Sequence, residues 1–324
     1  MAIKKNILIT GGAGFIGLSL AKYLSEKNFG VYLIDNLSRG KFDIEFKNLL
    51  KKKNVIFYKK NLNNKTNTKF NNISHVFHLA GSVGVKNINK DPYKSFFNNI
   101  LSLKNLLDTI KIKKKKVKII LFSTSEVYST IIQEKKVKFP IKESNDVLIK
   151  NSIIKRDAYY LSKIFNEKIL QLSNFNYLIL RPHNIYGPRM GFSHVVPELI
   201  KRMKKLKKKR NKNISIFSPK HRRAFCFIDD AITQIIKLSF NKKINNEIFN
   251  IGNMNEEISM INLAKKIKNF FSYKIKLQNG KITEGSPIRR IPDMNKTLKF
   301  TKIKKFTNLN QGLKKTFDWY QNKI

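Results

Sequence analysis

Tyr159 and Lys163 stand four residues apart in the stretch KRDAYYLSK (155–163), and Thr124 stands in LFSTSEVY (121–128). Residues four apart share one face of a helix, so the phenol and the ammonium project together. Free tyrosine has a pKa of about 10 and is a poor base at neutral pH. An ammonium held beside it favours the phenolate and turns the side chain into a usable proton acceptor. Thr124, at the end of the apolar run KIILFSTS (118–125), supplies a hydroxyl able to hold the same substrate group. Tyr160 points about 100° round the helix and is read as a packing residue. Because 56 of the 66 basic residues are lysines, the meaning of Lys163 depends on what stands near the start of the chain.

There, TGGAGFIG (10–17) sets Gly11, Gly14 and Gly17 three residues apart. The loop follows the apolar run NILIT (6–10) and opens a helical pattern at about 14–28 that Gly30 closes. The next run, VYLID (31–35), ends on Asp35, 18 residues beyond Gly17. A strand, a glycine loop, a helix start and a distal acid together form a dinucleotide-binding fingerprint. The glycines let the backbone approach a pyrophosphate, whose charge meets the free N–H groups of the helix start. Asp35 accepts from the adenosine ribose and repels a 2′-phosphate, which favours NAD over NADP. A positive nicotinamide ring near Tyr159 adds to the stabilisation of the phenolate.

The elements that carry these residues alternate. VIFY (55–58), HVFHLA (75–80), KIILFSTS and NYLILRP (176–182) continue the apolar runs, each followed by a helical pattern. Such alternation implies βαβ units and an α/β, doubly wound, Rossmann-type parallel sheet. Beyond residue 183 the pattern loosens, punctuated by Pro188, Pro197, Pro219, Pro287 and Pro292. The expected division is a dinucleotide-binding domain over 1–183, joined by 222–250, and a smaller C-terminal substrate lobe over 184–324. The segment RRAFCFIDDAITQIIKLSF (222–240) is expected to return to the main sheet.

A net charge of +45 in 324 residues would ordinarily point to nucleic acid or an anionic membrane. Lys, Asn, Ile and Phe, whose codons can be written in A and T alone, are all abundant, and arginine numbers only 10 of the 66 basic residues. The charge is therefore read as compositional drift on solvated faces, Lys113–Lys116 and the run over 201–212 included, with no nucleic-acid partner. Few aromatics interleave these runs, which argues against stacking on single strands. No apolar run is long enough to span a membrane, and the apolar stretch after MAIKK is too short for a signal peptide. One cysteine, Cys226, permits no internal disulfide and suits a cytoplasmic location. No metal is called for.

These motifs together resemble the NAD-dependent nucleotide-sugar epimerase/dehydratase family, extended short-chain dehydrogenase/reductases, nearly end to end. TGGAGFIG resembles the family's glycine loop, DNLSRG (35–40) its ribose turn and HLAG (78–81) its pyrophosphate loop. STSEVY (123–128), Tyr159-x-x-Ser162-Lys163, RPHNIYGPRMG (181–191), RAFCFIDD (223–230), NIGN (250–253), RRIPD (289–293) and GLKKTFDWY (312–320) complete the match.

The resemblance implies contacts to NAD from Gly11, Gly14, Phe15, Ile16, Gly17, Asp35, Asn36, Ser38, Asn61, Leu62, Leu79, Ala80, Gly81, Asn99, Ser123, Tyr159, Lys163, Pro182 and His183. For His183 the residues also allow a backbone-bonded loop histidine. Thr124, Ser125, Glu126, Asn184, Val196, Arg223 and Arg290 are implied for the nucleoside-diphosphate sugar, the two arginines for its diphosphate. A homodimer through the helices carrying Asn99 and Tyr159 is implied as well. The chain departs from the pattern at Asn61, where many relatives have Asp, at Ser129, where Gly is usual, and at Ser102–Leu103, where Gly-Thr is common.

Within such a family the shared opening step makes a 4-keto sugar, with Tyr159 taking the proton of the 4-hydroxyl. An epimerase needs no further base, and HNIYGPRMGFSHVVP (183–197) most resembles members of that kind. A nucleotide-sugar decarboxylase or 4,6-dehydratase would use Glu126, and an ion pair with a nearby lysine is that carboxylate's structural alternative. An RNA-binding or regulatory Rossmann protein is the non-enzyme alternative, against which Thr124, Tyr159 and Lys163 all stand intact. The expectation is an NAD-dependent nucleotide-sugar epimerase.

Overall fold

A computed structural model describes residues 5–65, 68, 70–111, 117–208, 210–321 and 323. Lys113–Lys116 and Lys209 of the two basic runs lie outside the described residues. In chain order the strands are β1 (Asn6–Thr10), β2 (Gly30–Asp35), β3 (Val55–Lys59), β4 (Ile73–His78), β5 (Lys118–Phe122), β6 (Asn176–Pro182), β7 (Ile185–Tyr186), β8 (Asn213–Ile216), β9 (Arg222–Ala224), β10 (Cys226–Phe227), β11 (Glu247–Ile251), β12 (Glu257–Ser259), β13 (Lys276–Asn279) and β14 (Arg289–Arg290). The helices are α1 (Phe15–Glu26), α2 (Ile44–Leu50), α3 (Val85–Lys90), α4 (Pro92–Lys111), α5 (Ser129–Gln133), α6 (Asp157–Gln171), α7 (Val195–Lys205), α8 (Ile228–Ser239), α9 (Met260–Lys268), α10 (Asn295–Thr301) and α11 (Leu309–Gln321).

Seven strands form the main sheet in the order β11-β6-β5-β4-β1-β2-β3. The five pairings from β6 across to β3 are parallel. The chain runs outward from β1 to β3 and then crosses to β4, so the strand order reverses beside β1, where open α/β sheets bind ligands. Burial explains the unbroken apolar runs: Ile7, Leu8 and Ile9 are 0% exposed, so both faces of β1 are covered. Leu103, Leu106 and Leu107 of α4 pack on one face with Leu8, Val76, Ile119 and Ile179. The sheet is the Rossmann-type α/β fold expected.

The chain divides into two compact units: 1–127, 150–181 and 235–249 in the first, 128–149, 182–234 and 250–324 in the second. One of the breaks lies after residue 181, where the expected boundary is 183. The segment 128–149 goes with the second unit, because Ile141 pairs there with Pro292. The return to the main sheet comes later than the expected 222–240: β9 pairs with β12 and β14, β10 with β7, and the strand that joins the sheet is β11. Within the second unit β8 pairs with β13, and α9 is capped by Ser259, whose hydroxyl accepts from Asn262 N. Among the described residues no helix is long and apolar enough to cross a membrane.

Candidate active site

The glycine loop is built by contacts that exclude side chains. Gly11 has φ +72°, and a Cβ there would meet Ala80 N at 2.9 Å. A Cβ on Gly17 would lie 2.2 Å from Gly11 O, so the first turn of α1 can press against the loop only without one. Gly14 precedes α1 in extended conformation and offers no side-chain cap, and no acid stands in that helix's first turn. The helix start therefore keeps its N–H groups and dipole for an anion. Phe15 and Ile16, half-buried, begin the same turn.

Asp35 ends β2 nearly buried, its Oδ2 accepting from Ala13 N at 3.0 Å and its Oδ1 from Leu37 N at 2.8 Å. One carboxylate thus ties the ribose turn to the glycine loop. Asn36 and Ser38 are exposed and bonded to each other, Asn36 Oδ1 accepting from Ser38 Oγ at 2.7 Å. Asn61 is exposed and accepts from Asn63 N, whereas Leu62 is buried with its carbonyl held by Asn105 Nδ2. Leu79 N donates to Thr10 O and Ala80 N to Thr10 Oγ1, which sets the pyrophosphate loop against the end of β1. The same Thr10 hydroxyl meets His78 Nδ1 at 2.9 Å.

Asn99, 1% exposed on α4, accepts from Ser82 N and donates through Nδ2 to Ser82 O and, at 2.8 Å, to Ser162 Oγ. Ser162 Oγ in turn donates to Tyr159 O at 2.7 Å. The amide therefore joins the loop at Gly81–Ser82 to the turn of α6 that carries the tyrosine.

Lys163 is buried on α6 and donates to Phe122 O at 2.9 Å, at the end of β5. Burial pushes its ammonium down to about 8, against the pull of Glu167. Tyr159, half-buried, lies in the field of Arg39 from the ribose turn, a residue the sequence reading left without a role. Ser123, Thr124 and Ser125 follow β5 and are buried, Thr124 Oγ1 accepting from Glu126 N at 3.2 Å. Glu126 forms an ion pair with Arg156 at 3.5 Å, both side chains partly buried. The sequence reading offered Glu126 a lysine as partner; the partner is instead Arg156, three residues before Tyr159 in KRDAYYLSK.

In the second unit β9 and β14 set Arg223 and Arg290 at paired positions, 8% and 6% exposed. The Arg223 guanidinium is engaged by Ser286 Oγ at 2.8 Å and by the carbonyls of Arg222, Pro287 and Ile288. Its neighbour Arg289 makes a two-pronged pair with Glu257 at 2.7 and 2.9 Å. Asn184 adopts φ +40° and donates to Ala224 O at 3.0 Å, which links the β6–β7 connection to β9. Val196 is 0% exposed on the inner face of α7.

Pro182 is half-buried and His183 wholly buried. His183 N donates to Ile251 O at 2.8 Å, and its Nε2 meets Asn250 Oδ1 at 3.1 Å. Tyr128 OH donates to the same Asn250 oxygen at 3.1 Å, and Asn250 N donates to Glu143. His183 is thus held through its backbone by Ile251 and through its ring by the Asn250 side chain. Asn250 and Glu143 had no signal beyond the NIGN stretch. An open depression of about 850 Å³ in the second unit, lined among others by Lys212, Lys265, Lys268 and Tyr273, contains none of the expected site residues. Among the described residues no group of three His, Cys, Asp or Glu is placed to hold a metal.

A Rossmann-type sheet with a glycine loop at a helix start, an acid at the end of β2 and a tyrosine and lysine on one helix is the arrangement of an NAD-binding α/β protein. Residues 7–252 match the NAD dependent epimerase/dehydratase family, and the chain belongs to that family. NAD is its cofactor, and the cradle at Gly11 and Gly17 and the acid at Asp35 fit it. The chain is similar to the UDP-N-acetyl-alpha-D-glucosaminuronate decarboxylase of Bacillus cytotoxicus, 29% identical over 98% of each chain. It is equally similar to a putative UDP-glucose 4-epimerase of Methanocaldococcus jannaschii, 29% identical over 98% of each. Among solved structures it resembles UDP-glucuronic acid 4-epimerase of Bacillus cereus in complex with UDP-glucuronic acid and NAD, with TM-score 0.80, 26% identity and 98% and 100% of the two chains covered.

Proposed function

We propose that the chain is a 4-epimerase of a UDP-linked sugar. The observation that carries the choice is the Glu126–Arg156 ion pair, which engages the one carboxylate that a dehydratase or decarboxylase would need as an acid–base group. NAD bound at the glycine loop and Asp35 would supply the hydride-accepting and hydride-donating chemistry needed at carbon 4 of the sugar. Tyr159 takes the 4-hydroxyl proton as that carbon is oxidised and gives it back on reduction. Lys163, charged at neutral pH, favours the phenolate, and Thr124 holds the reacting oxygen. Asn99, through Ser162, keeps the tyrosine's turn against the pyrophosphate loop. Arg290 and Arg223 are proposed for the diphosphate, Arg223 after exchanging part of its loop bonding, and Ser125, Asn184 and Val196 for shaping the sugar-nucleotide site. Pro182 and His183 are proposed to back the nicotinamide.

A second reading is favoured by the Bacillus cytotoxicus relative and by the position of Glu126 two residues from Thr124. In a decarboxylase Arg156 and Glu126 would act on a uronic acid. Glu126→Gln separates the two. In an epimerase it retains most activity and the product keeps the substrate's mass. Loss of activity of about a hundredfold or more, with a product lighter by carbon dioxide or water, would instead assign the carboxylate a chemical role.

A further inference from the structure

Glu167 lies four residues beyond Lys163 on α6, and its carboxylate is nearly sealed from water. Its Oε1 accepts from Ser123 Oγ and, at 3.0 Å, from Arg181 Nε, while its Oε2 accepts from Arg181 Nη2 at 2.7 Å. Both side chains of the pair are 4% exposed. A buried ion pair is a weak device for stability, since apolar side chains of equal volume often serve as well or better. Its location suggests another use. Arg181 stands on β6, Ser123 just beyond β5, and Glu167 on α6, so the pair joins three elements at one point. Ser123 adjoins Thr124 and follows Phe122, whose carbonyl accepts from Lys163 Nζ at 2.9 Å.

We propose that Glu167 is a positioning residue: fixed by Arg181 and Ser123, its carboxylate pins the end of β5 that presents Thr124 and the Phe122 carbonyl on which Lys163 is held. The inference rests on the reading of Tyr159 and Lys163 as the proton-transfer pair. The groups that face Lys163 are few. From β4, His78 is fully buried and pushed down to about 3, by burial first and by Lys163 second, so it stays neutral. From β5 comes the Phe122 carbonyl dipole, from β6 the Arg181 charge on the far partner of the carboxylate, and from α4 the neutral Asn99 amide beside Gly81, while Tyr159 stands four residues earlier on α6. Burial pushes Lys163 down, and Glu167 is the side chain that opposes this.

The single variant Glu167→Gln strands a buried guanidinium and endangers the fold. The test therefore uses the double variant Glu167→Gln/Arg181→Met, which removes both charges at similar volume, alongside Glu167→Asp. The primary readout is the near-ultraviolet tyrosinate titration of the NAD-bound protein without substrate, taken as the difference from the same background carrying Tyr159→Phe. The Tyr159 midpoint is expected to rise by about one pH unit in the double variant, because Lys163 loses its proton earlier and ceases to stabilise the phenolate. Glu167→Asp keeps the charge and most of the wild-type midpoint. With UDP-glucose as the assay substrate, the alkaline limb of kcat/KM moves to lower pH in the double variant. A folded double variant whose midpoint is unmoved, or a Glu167→Asp variant shifted as far as the double, overturns the proposal and leaves a structural ion pair. Lys163→Met is the control for the underlying reading: a Tyr159 midpoint indifferent to that change would remove the tyrosine–lysine pair itself.

Discussion

Asp35 shows how one side chain carries two duties. Its two oxygens accept from Ala13 N and Leu37 N, so the acid proposed to face a ribose also fixes the glycine loop proposed to face the phosphates. Asp35→Ala should weaken NAD binding and reduce discrimination against NADP, because a ribose acceptor and a repulsive charge leave together. Calorimetric titration with both cofactors measures this, and an unchanged ratio of the two affinities would contradict the role. The acid could be found from sequence because its spacing from Gly17 is local and its strand is an unbroken apolar run. The same holds for Tyr159 and Lys163, four apart on one helix. Glu167 and Arg181 could not be found that way: they meet through the packing of α6 on β6, and Ser123 joins them across 44 residues of sequence. Helix spacing alone places Glu167 below Lys163 but gives no reason for its burial.

At the level of elements, the sheet order could be read from the alternation of apolar runs and helical patterns, since a buried parallel strand needs apolar residues on both faces. The expected strand 118–125 ends instead at Phe122, and Ser125–Tyr128 turns into a short helix that carries Glu126, with Thr124 in the link before it. Polar Ser and Thr at a strand end satisfy their backbone by local bonding, such as Glu126 N to Thr124 Oγ1, which period-2 reading does not anticipate. The course of 222–240 was misleading for a related reason: β9 and β10 are short strands whose partners, β12, β14 and β7, are themselves too short to register as apolar runs. Helix α4 connects to α6 through Asn99, so Asn99→Ala should lower stability by about 1–3 kcal/mol and loosen the turn at Tyr159. Thermal unfolding and the KM for NAD, measured together, check it; a variant as stable as the wild type would place the bonds at Asn99 among the dispensable ones.

Beside the large basic excess, the buried Arg181, Arg223 and Arg290 stand in β6, β9 and β14. Among the described residues three of the five exposed large aromatics stand on α4 and α6, the other two being Phe42 and Phe217. Tyr93, Phe97 and Phe165 are 75%, 40% and 46% exposed on α4 and α6, and Phe96 packs on Phe165 with ring centres 5.7 Å apart. A face of this kind fits the expected homodimer. Light scattering should give twice the chain mass at micromolar concentration, and Phe97→Glu/Phe165→Glu should give the monomer; a wild-type monomer would remove the proposal. The central claim, transient oxidation at carbon 4 with no loss of atoms, is tested most directly by isotope. A UDP-hexose deuterated at carbon 4 is incubated with the NAD-bound enzyme in ordinary water, and the product is analysed by mass spectrometry and NMR. The account predicts an inverted carbon 4 that still carries the deuterium, with product and substrate of equal mass. A product that has lost the label to solvent, or is lighter by water or carbon dioxide, would contradict it.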